Sequence, residues 1–331
     1  MRKVTINTVA EKASVSKATV SHVLNNTRFV EEETRQRVLS AVEELGYRPS
    51  LIARSLTTNR TSTIGVIVSD ISNNFFGELI RGIEDFTGPK NYSLVVCNTD
   101  ETLERENHYL DLLLRQRVDG IIVAAASQRW EALNTAEMQH TPIVYTDRKF
   151  EGMHGPYVGV DNINGSQLGT EQLIKSGHKK IGILAGFQRL SSMRERLAGF
   201  QRVMQQCGLP IPPEWIIESH LGIEEGRGAA LQILSMPDRP TALFINNNYL
   251  SLGALMAIND LGLSCPKDIA IVGFDDHPWS AVSCPPLTVI RQPARHIGQV
   301  AAQMVETLIN GLEPDPLQVE LACELILRSS C

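Results

Sequence analysis

At 331 residues, with 43% hydrophobic and 21% charged residues, the chain can bury a sizeable core and is long enough for two or three domains. No apolar run approaches a membrane span, and the first residues lack the basic, apolar and small-residue succession of a signal peptide, so a cytoplasmic protein without a membrane partner is expected. The net charge of -6 is uneven: residues 1–60 carry +4 and the remainder -10, so only the head suits phosphates.

Within Thr5–Asn26, apolar residues recur at helical spacing, first at Ile6, Val9, Ala10 and Ala13, then at Val20, Val23 and Leu24. Two short amphipathic helices with a turn at Ser14-Val15-Ser16 follow, with Thr5 capping the first and Ser16 the second. With the apolar side inward, Lys17, Ala18, Ser21 and His22 share the opposite face. Donors and small groups near a helix N-terminus suit base edges in the major groove, which is a helix-turn-helix reading. An ordinary helical hairpin would show the same periodicity.

Val9-Ala10, Val15-Ser16, Thr19-Val20-Ser21 and Val23-Leu24-Asn25 separate the two. This head resembles that of the LacI/GalR family of bacterial transcription regulators. His22 stands where many members carry Arg, and Ser14 replaces the frequent turn glycine. The resemblance implies DNA contacts from Thr5, Ser16, Lys17, Ala18, Thr19, Ser21, His22 and Asn25.

Residues 30–45 carry Val38, Val42 and Leu45 at helical spacing before Gly46, which predicts a third helix with Glu31, Glu32 and Glu33 at its dipole-favoured start. Ser50 then caps a short apolar stretch, Leu51 to Leu56, too brief to be stable alone. In the resembling family it is the hinge helix, paired with that of a second copy over the minor groove. Ala53 and the wedge residue Leu56 would act there.

From Ile64 the rhythm becomes strand and helix in alternation: IGVIV, SLVVC, GIIVAA and PIVYTD, then KIGILAG, ALFIN and IAIVGFDD. Helices are expected at 79–86, 107–115, 196–206 and 250–261. Two parallel sheets with helices on both faces are predicted, with a cleft at the carboxyl ends of their strands. The fold class is thus a small all-α helix-turn-helix head on a two-lobed α/β body.

Eight elements in order carry a second resemblance: DISNNFF (70–76), CNTDE (97–101), VDGIIV (118–123), TDRK (146–149), SGHKKIG (176–182), RERLAGF (194–200), CPKDIAIVGFDD (265–276) and LTVIRQP (287–293). The body resembles the family's effector domain and the periplasmic sugar-binding proteins. That resemblance implies a head at 1–48, a hinge at 49–63, an N-terminal lobe from 64–160 plus 293–320, and a C-terminal lobe from 161–292 plus 321–331. It also implies an effector site of Asn73, Phe76, Asp147, Arg148, Arg196, Leu221, Asn247, Asp275 and Gln292. Carboxylates, guanidiniums, amides and one aromatic face make a sugar site, and two Asp against two Arg favour a neutral ligand. Phe75 reads as core. Asn74 replaces the family's usual Pro, and Asn248 its usual Asp.

No G-x-x-x-x-G-K-[ST], strand-to-helix G-x-G-x-x-G or nucleophile elbow occurs, so an enzyme is not expected. The six cysteines have no ligand spacing, and neither a metal nor another cofactor is expected. A secreted solute-binding protein would share the body, but residues 1–63 argue against it. The expectation is a homodimeric repressor that binds a near-palindromic DNA operator under control of a small carbohydrate, with a nucleoside or sugar acid as the alternative effector.

Overall fold

The computed structural model describes residues 4–25, 28–47, 60–126, 140–150 and 152–331. Two compact units result, Met1–Thr61 and Ser62–Cys331. The stretch read as a hinge helix, with Ala53 and Leu56, lies outside the described residues.

In the head, α1 (Ile6–Ala13), α2 (Lys17–Asn25) and α3 (Glu32–Glu44) enclose Val9, Ala13, Val20, Val23, Val38 and Ala41. Thr5 and Thr8 form a reciprocal cap at the start of α1, and Ser16 Oγ accepts the Thr19 N–H of α2 at 3.0 Å. The turn explains the family's glycine: Ser14 ends α1 in the left-handed region at φ 54°, a conformation costing a non-glycine residue roughly 1 kcal/mol. Gly46 takes the same region, φ 57°, after α3.

The larger unit holds two six-stranded sheets. The first has order β11-β5-β4-β3-β1-β2, all parallel, with β1 (Thr63–Val68), β2 (Ser93–Asn98), β3 (Gly120–Val123), β4 (Ile143–Thr146), β5 (Tyr157–Val160) and β11 (Gln318–Leu321). The second has order β12-β10-β9-β8-β6-β7, with β6 (Ile181–Leu184), β7 (Ile216–Ile217), β8 (Ala242–Ile245), β9 (Ala270–Phe274), β10 (Thr288–Arg291) and the antiparallel edge strand β12 (Glu324–Ile326). The apolar strand runs follow from burial on both faces: Ile64, Val66 and Val68 of β1 meet one core, while Ile67 meets another with Leu110 and Leu113.

The helices in chain order are α4 (Asn74–Thr87), α5 (Leu103–Arg115), α6 (Asn162–Lys175), α7 (Ser191–Gln206), α8 (Ile223–Leu234), α9 (Asn248–Asp260) and α10 (Ala294–Ile309). Four coincide with the expected helices but begin two to five residues earlier; the added turn of α7 opens on the polar Ser191-Ser192, whereas that of α4 holds Phe75 and Phe76, which the spacing did not assign to the helix. Periodicity did not find α6, α8 and α10. In α6 the inward face is built of Gly165, Ser166, Gly169 and Thr170, small residues that let Phe244 and Phe274 lie against its backbone.

The chain passes between the sheets after β5, β10 and β11. Consequently α10 packs beside α4 on the first sheet although their starts are 220 positions apart, and the two sheets present their strand ends to a shared cleft.

Candidate functional site

On the head, Lys17 and Ala18 are exposed and Thr19, Ser21 and His22 partly so, along the side of α2 opposite Val20 and Val23. Thr5 and Ser16 serve as caps at the exposed starts of α1 and α2. The caps leave both helix starts ordered and open, where backbone N–H groups and the helix dipole attract phosphate. Asn25 is the last residue of α2.

In the larger unit the site grows from strand ends. Asn73 follows β1, Asp147 and Arg148 follow β4, Leu221 follows β7, Asn247 follows β8, Asp275 follows β9 and Gln292 follows β10. Arg196 projects from α7. All of these, with Phe76, border one cavity of about 220 Å³. Asn73 and Asn247 are side-chain caps of α4 and α9, so these asparagines fix the two helix starts that flank the cavity.

The charged groups are held by buried partners. Arg148 donates from Nε to Asp147 Oδ2 at 3.1 Å and from Nη2 to Glu101 Oε1 at 2.7 Å, and its Nη1 reaches the other Glu101 oxygen. Burial opposes its charge, but Glu101 and Asp147 outweigh that penalty and hold it protonated. Arg196, 2% exposed, donates to Asn162 Oδ1 at 2.8 Å and to the Asn246 carbonyl at 2.6 Å, and its guanidinium stacks 3.6 Å over Phe274.

Asp275 accepts from Gln292 Nε2 at 2.5 Å. Burial pushes its carboxyl above the usual range, against the pull of Arg196 and the Gln292 bond. Asp147 and Asp275 both have left-handed backbones, φ 68° and 77°. Non-glycine residues in that region cost of order 1–3 kcal/mol each, and their surroundings impose it to turn both carboxylates into the cavity.

The structure adds residues that the spacing did not single out. Asp70, Glu101, Ser192, Met193 and Tyr249 also border the cavity, as does Phe75, which read as core. CNTDE was visible as a motif, but Glu101 turns inward because Asp100 and Glu101 have φ 48° and 58°, which no pattern announces. Tyr249 and Asp70 meet at 2.9 Å and Asn248 donates to Asn73 at 3.0 Å, joining the lobes across the cleft. Asn248 therefore bonds a neutral amide where an Asp would need a donor. Asn74 is the first residue of α4, the position where Pro is also tolerated. Among the described residues, no cluster of His, Cys, Asp and Glu could hold a metal, and no helix is long and apolar enough to cross a membrane.

Comparison with known proteins agrees with both units. Residues 5–50 match the model of bacterial regulatory proteins of the lacI family, and 170–331 match a periplasmic binding protein-like domain. The HTH-type transcriptional repressors PurR of Aliivibrio salmonicida and Pasteurella multocida are each 38% identical over 327 residues, 98% of this chain and of theirs. Among solved structures, the Lac repressor dimer bound to operator and the anti-inducer ONPF superposes with a TM-score of 0.89 at 29% identity, covering 99% of both chains. A protein of Burkholderia thailandensis described as a candidate ribose operon repressor gives 0.73 at 36%, covering 81% of this chain and 99% of that one. The transcriptional regulator CelR in complex with cellobiose gives 0.74 at 27%, covering 99% and 100%. The relatives are repressors rather than enzymes, and with a helix-turn-helix head on a two-lobed α/β body this chain belongs to the LacI family of bacterial regulatory proteins, as a DNA-binding transcriptional repressor.

Proposed function

We propose that the cavity binds a small, neutral, single-ring sugar, and that its occupancy controls operator binding by a cytoplasmic homodimer. The observation that carries the sugar reading is the ring of carboxylates, guanidiniums and amides around a 220 Å³ space, with Phe76 as an apolar wall. Hydroxyls, each both donor and acceptor, satisfy such a lining, and the volume lies below the range of drug-sized pockets. A candidate ribose operon repressor among the similar structures points the same way, and a cellobiose complex among them favours a sugar though a two-ring one.

A purine is the second reading, favoured by the relatives named PurR. Phe75 and Phe76 meet edge to face at 77°, so they present no pair of parallel faces for a flat base. A thermal-shift screen of single-ring sugars, purine bases and nucleosides separates the two, because a specific ligand raises the melting temperature by mass action. A rise with purines and none with sugars overturns the sugar reading.

In this proposal residues 1–48 read DNA and 49–63 form the hinge. Residues 64–160 with 293–320, and 161–292 with 321–331, are the effector lobes. One recognition helix reads one half-site, so two-fold symmetry calls for a near-palindromic operator. Leu56→Ala is expected to lower operator affinity about tenfold or more with little change on random DNA, since a wedge acts where a base step opens. Lys17→Ala is expected to weaken binding at the half-sites instead. Fluorescence anisotropy on operator and random duplexes checks both, and unchanged operator affinity in a folded Leu56→Ala dimer rejects the hinge assignment.

Effector affinity should also fall on acidification. A sugar hydroxyl donates to ionised Asp275, so binding favours the deprotonated carboxyl; below its pKa a proton must first leave. Because burial raises that pKa, the loss begins above the ordinary aspartate value of about 3.9. Calorimetry across pH, in buffers of different ionisation enthalpy, should show proton release on binding that grows as pH falls toward the raised value. Affinity independent of pH down to ordinary aspartate titration would remove Asp275 from the contact.

A further inference from the structure

The balance of two Asp against two Arg expected from the sequence does not hold at the cavity wall. Five carboxylates border it, those of Asp70, Asp100, Glu101, Asp147 and Asp275, against the two guanidiniums of Arg148 and Arg196. Glu101 is the residue that tips one guanidinium. Both of its oxygens engage Arg148, whose side chain is 7% exposed, while Asp147 takes the remaining Nε–H. Arg148 thus meets two carboxylates and offers no net positive charge to a ligand. Arg196 is spent in part on Asn162, the Asn246 carbonyl and Phe274.

We propose that Glu101 is the specificity residue for effector charge: by saturating Arg148 it makes the cavity refuse sugar acids and sugar phosphates and accept uncharged sugars. The proposal rests on the sugar reading of the cavity. Burial works against the Glu101 charge, yet Arg148 holds its carboxyl below the ordinary value, so the filter is ionised at neutral pH. A ligand carboxylate would sit among like charges, where proximity in a poorly solvated site is costly. Replacing Glu101 by Gln keeps the shape and one acceptor oxygen but removes one of the two negative charges on Arg148; Asp147 still holds Nε, and the Nη1/Nη2 edge is released from a carboxylate, so a ligand carboxylate can engage it with less repulsion.

The test is calorimetry on the full-length protein with matched probes, D-ribose against D-ribonate and D-galactose against D-galacturonate. Wild type is expected to prefer the neutral member of whichever pair binds by at least tenfold. In Glu101→Gln that preference should fall by tenfold or more, and in Glu101→Asp, which keeps the charge, it should persist. Glu101→Ala carries the same expectation if the Gln variant does not melt cooperatively. An undiminished preference in the neutralised variants, with the sugar still bound, overturns the role of Glu101 and leaves the sugar site standing. A wild type that binds purine bases and no sugar overturns both.

Discussion

Arg196→Ala and Asp275→Asn are each expected to weaken effector binding by about 2–4 kcal/mol, roughly thirty- to a thousandfold, the first because it leaves desolvated partners unpaired and the second because it removes the ionised acceptor for a ligand hydroxyl. For Arg196 those partners are Asn162, the Asn246 carbonyl and the Phe274 face; at position 275 an asparagine oxygen can still accept from Gln292, so the charge alone is lost. The Asn substitution preserves size at a left-handed position that asparagine tolerates, so loss of binding there reports charge rather than misfolding. Operator affinity measured with and without sugar should become the same in both variants. This holds at a sugar concentration that saturates the wild type and leaves the variants mostly empty, since an effector shifts DNA binding only where it is bound and only by the difference in its affinity for the two states. Calorimetry showing near wild-type affinity in both variants would place the effector elsewhere.

Gly298→Ala should destabilise the larger unit by about 2–4 kcal/mol although it adds one methyl group, because the space it needs is filled by backbone. A Cβ at Gly298 would lie 2.0 Å from the Leu79 carbonyl oxygen, and one at Gly82 would lie 1.9 Å from that of Arg295. Two helices, α4 and α10, touch there backbone to backbone. Separating them also moves the start of α4, where Asn73 faces the cavity, and that of α10, just beyond Gln292. Gly77→Ala on the exposed side of α4 meets nothing within 4 Å and should be neutral or gain up to about 1 kcal/mol from helix propensity. Urea unfolding of the three proteins distinguishes them; equal midpoints for Gly298→Ala and wild type would rule out the close crossing.

On the proposed effector reading, the lobe-joining contacts set how the cleft reports its ligand. Tyr249 donates to Asp70, and the Asn73 and Asn248 amides meet directly, so part of the closed arrangement is held by protein groups alone. A ligand then has to supply only the remaining preference for closure.

Local pattern alone determined the helices of the head and the two parallel sheets, while the resemblance to the family pointed to a DNA-reading head and to the residues at the strand ends. Short apolar strands and three-to-four spacing report burial directly, since each side chain's environment repeats with the period of its own element. The helix caps at Thr5 and Ser16 were legible for the same reason, being contacts between residues three apart. Tertiary structure decided what depends on residues distant in the chain. It put α10 against α4, hid α6 behind small residues that carry no hydrophobic period, and brought Asp70 to Tyr249 across 179 positions. It also decided the charge of the cavity: Glu101 meets Arg148 only because two consecutive residues adopt left-handed backbones and β2 and β4 end on the same rim. Left-handed turns and long-range ion pairs have no period, so the sequence, by its family resemblance, named residues that border the cavity, and only the folded chain showed that Glu101 holds Arg148.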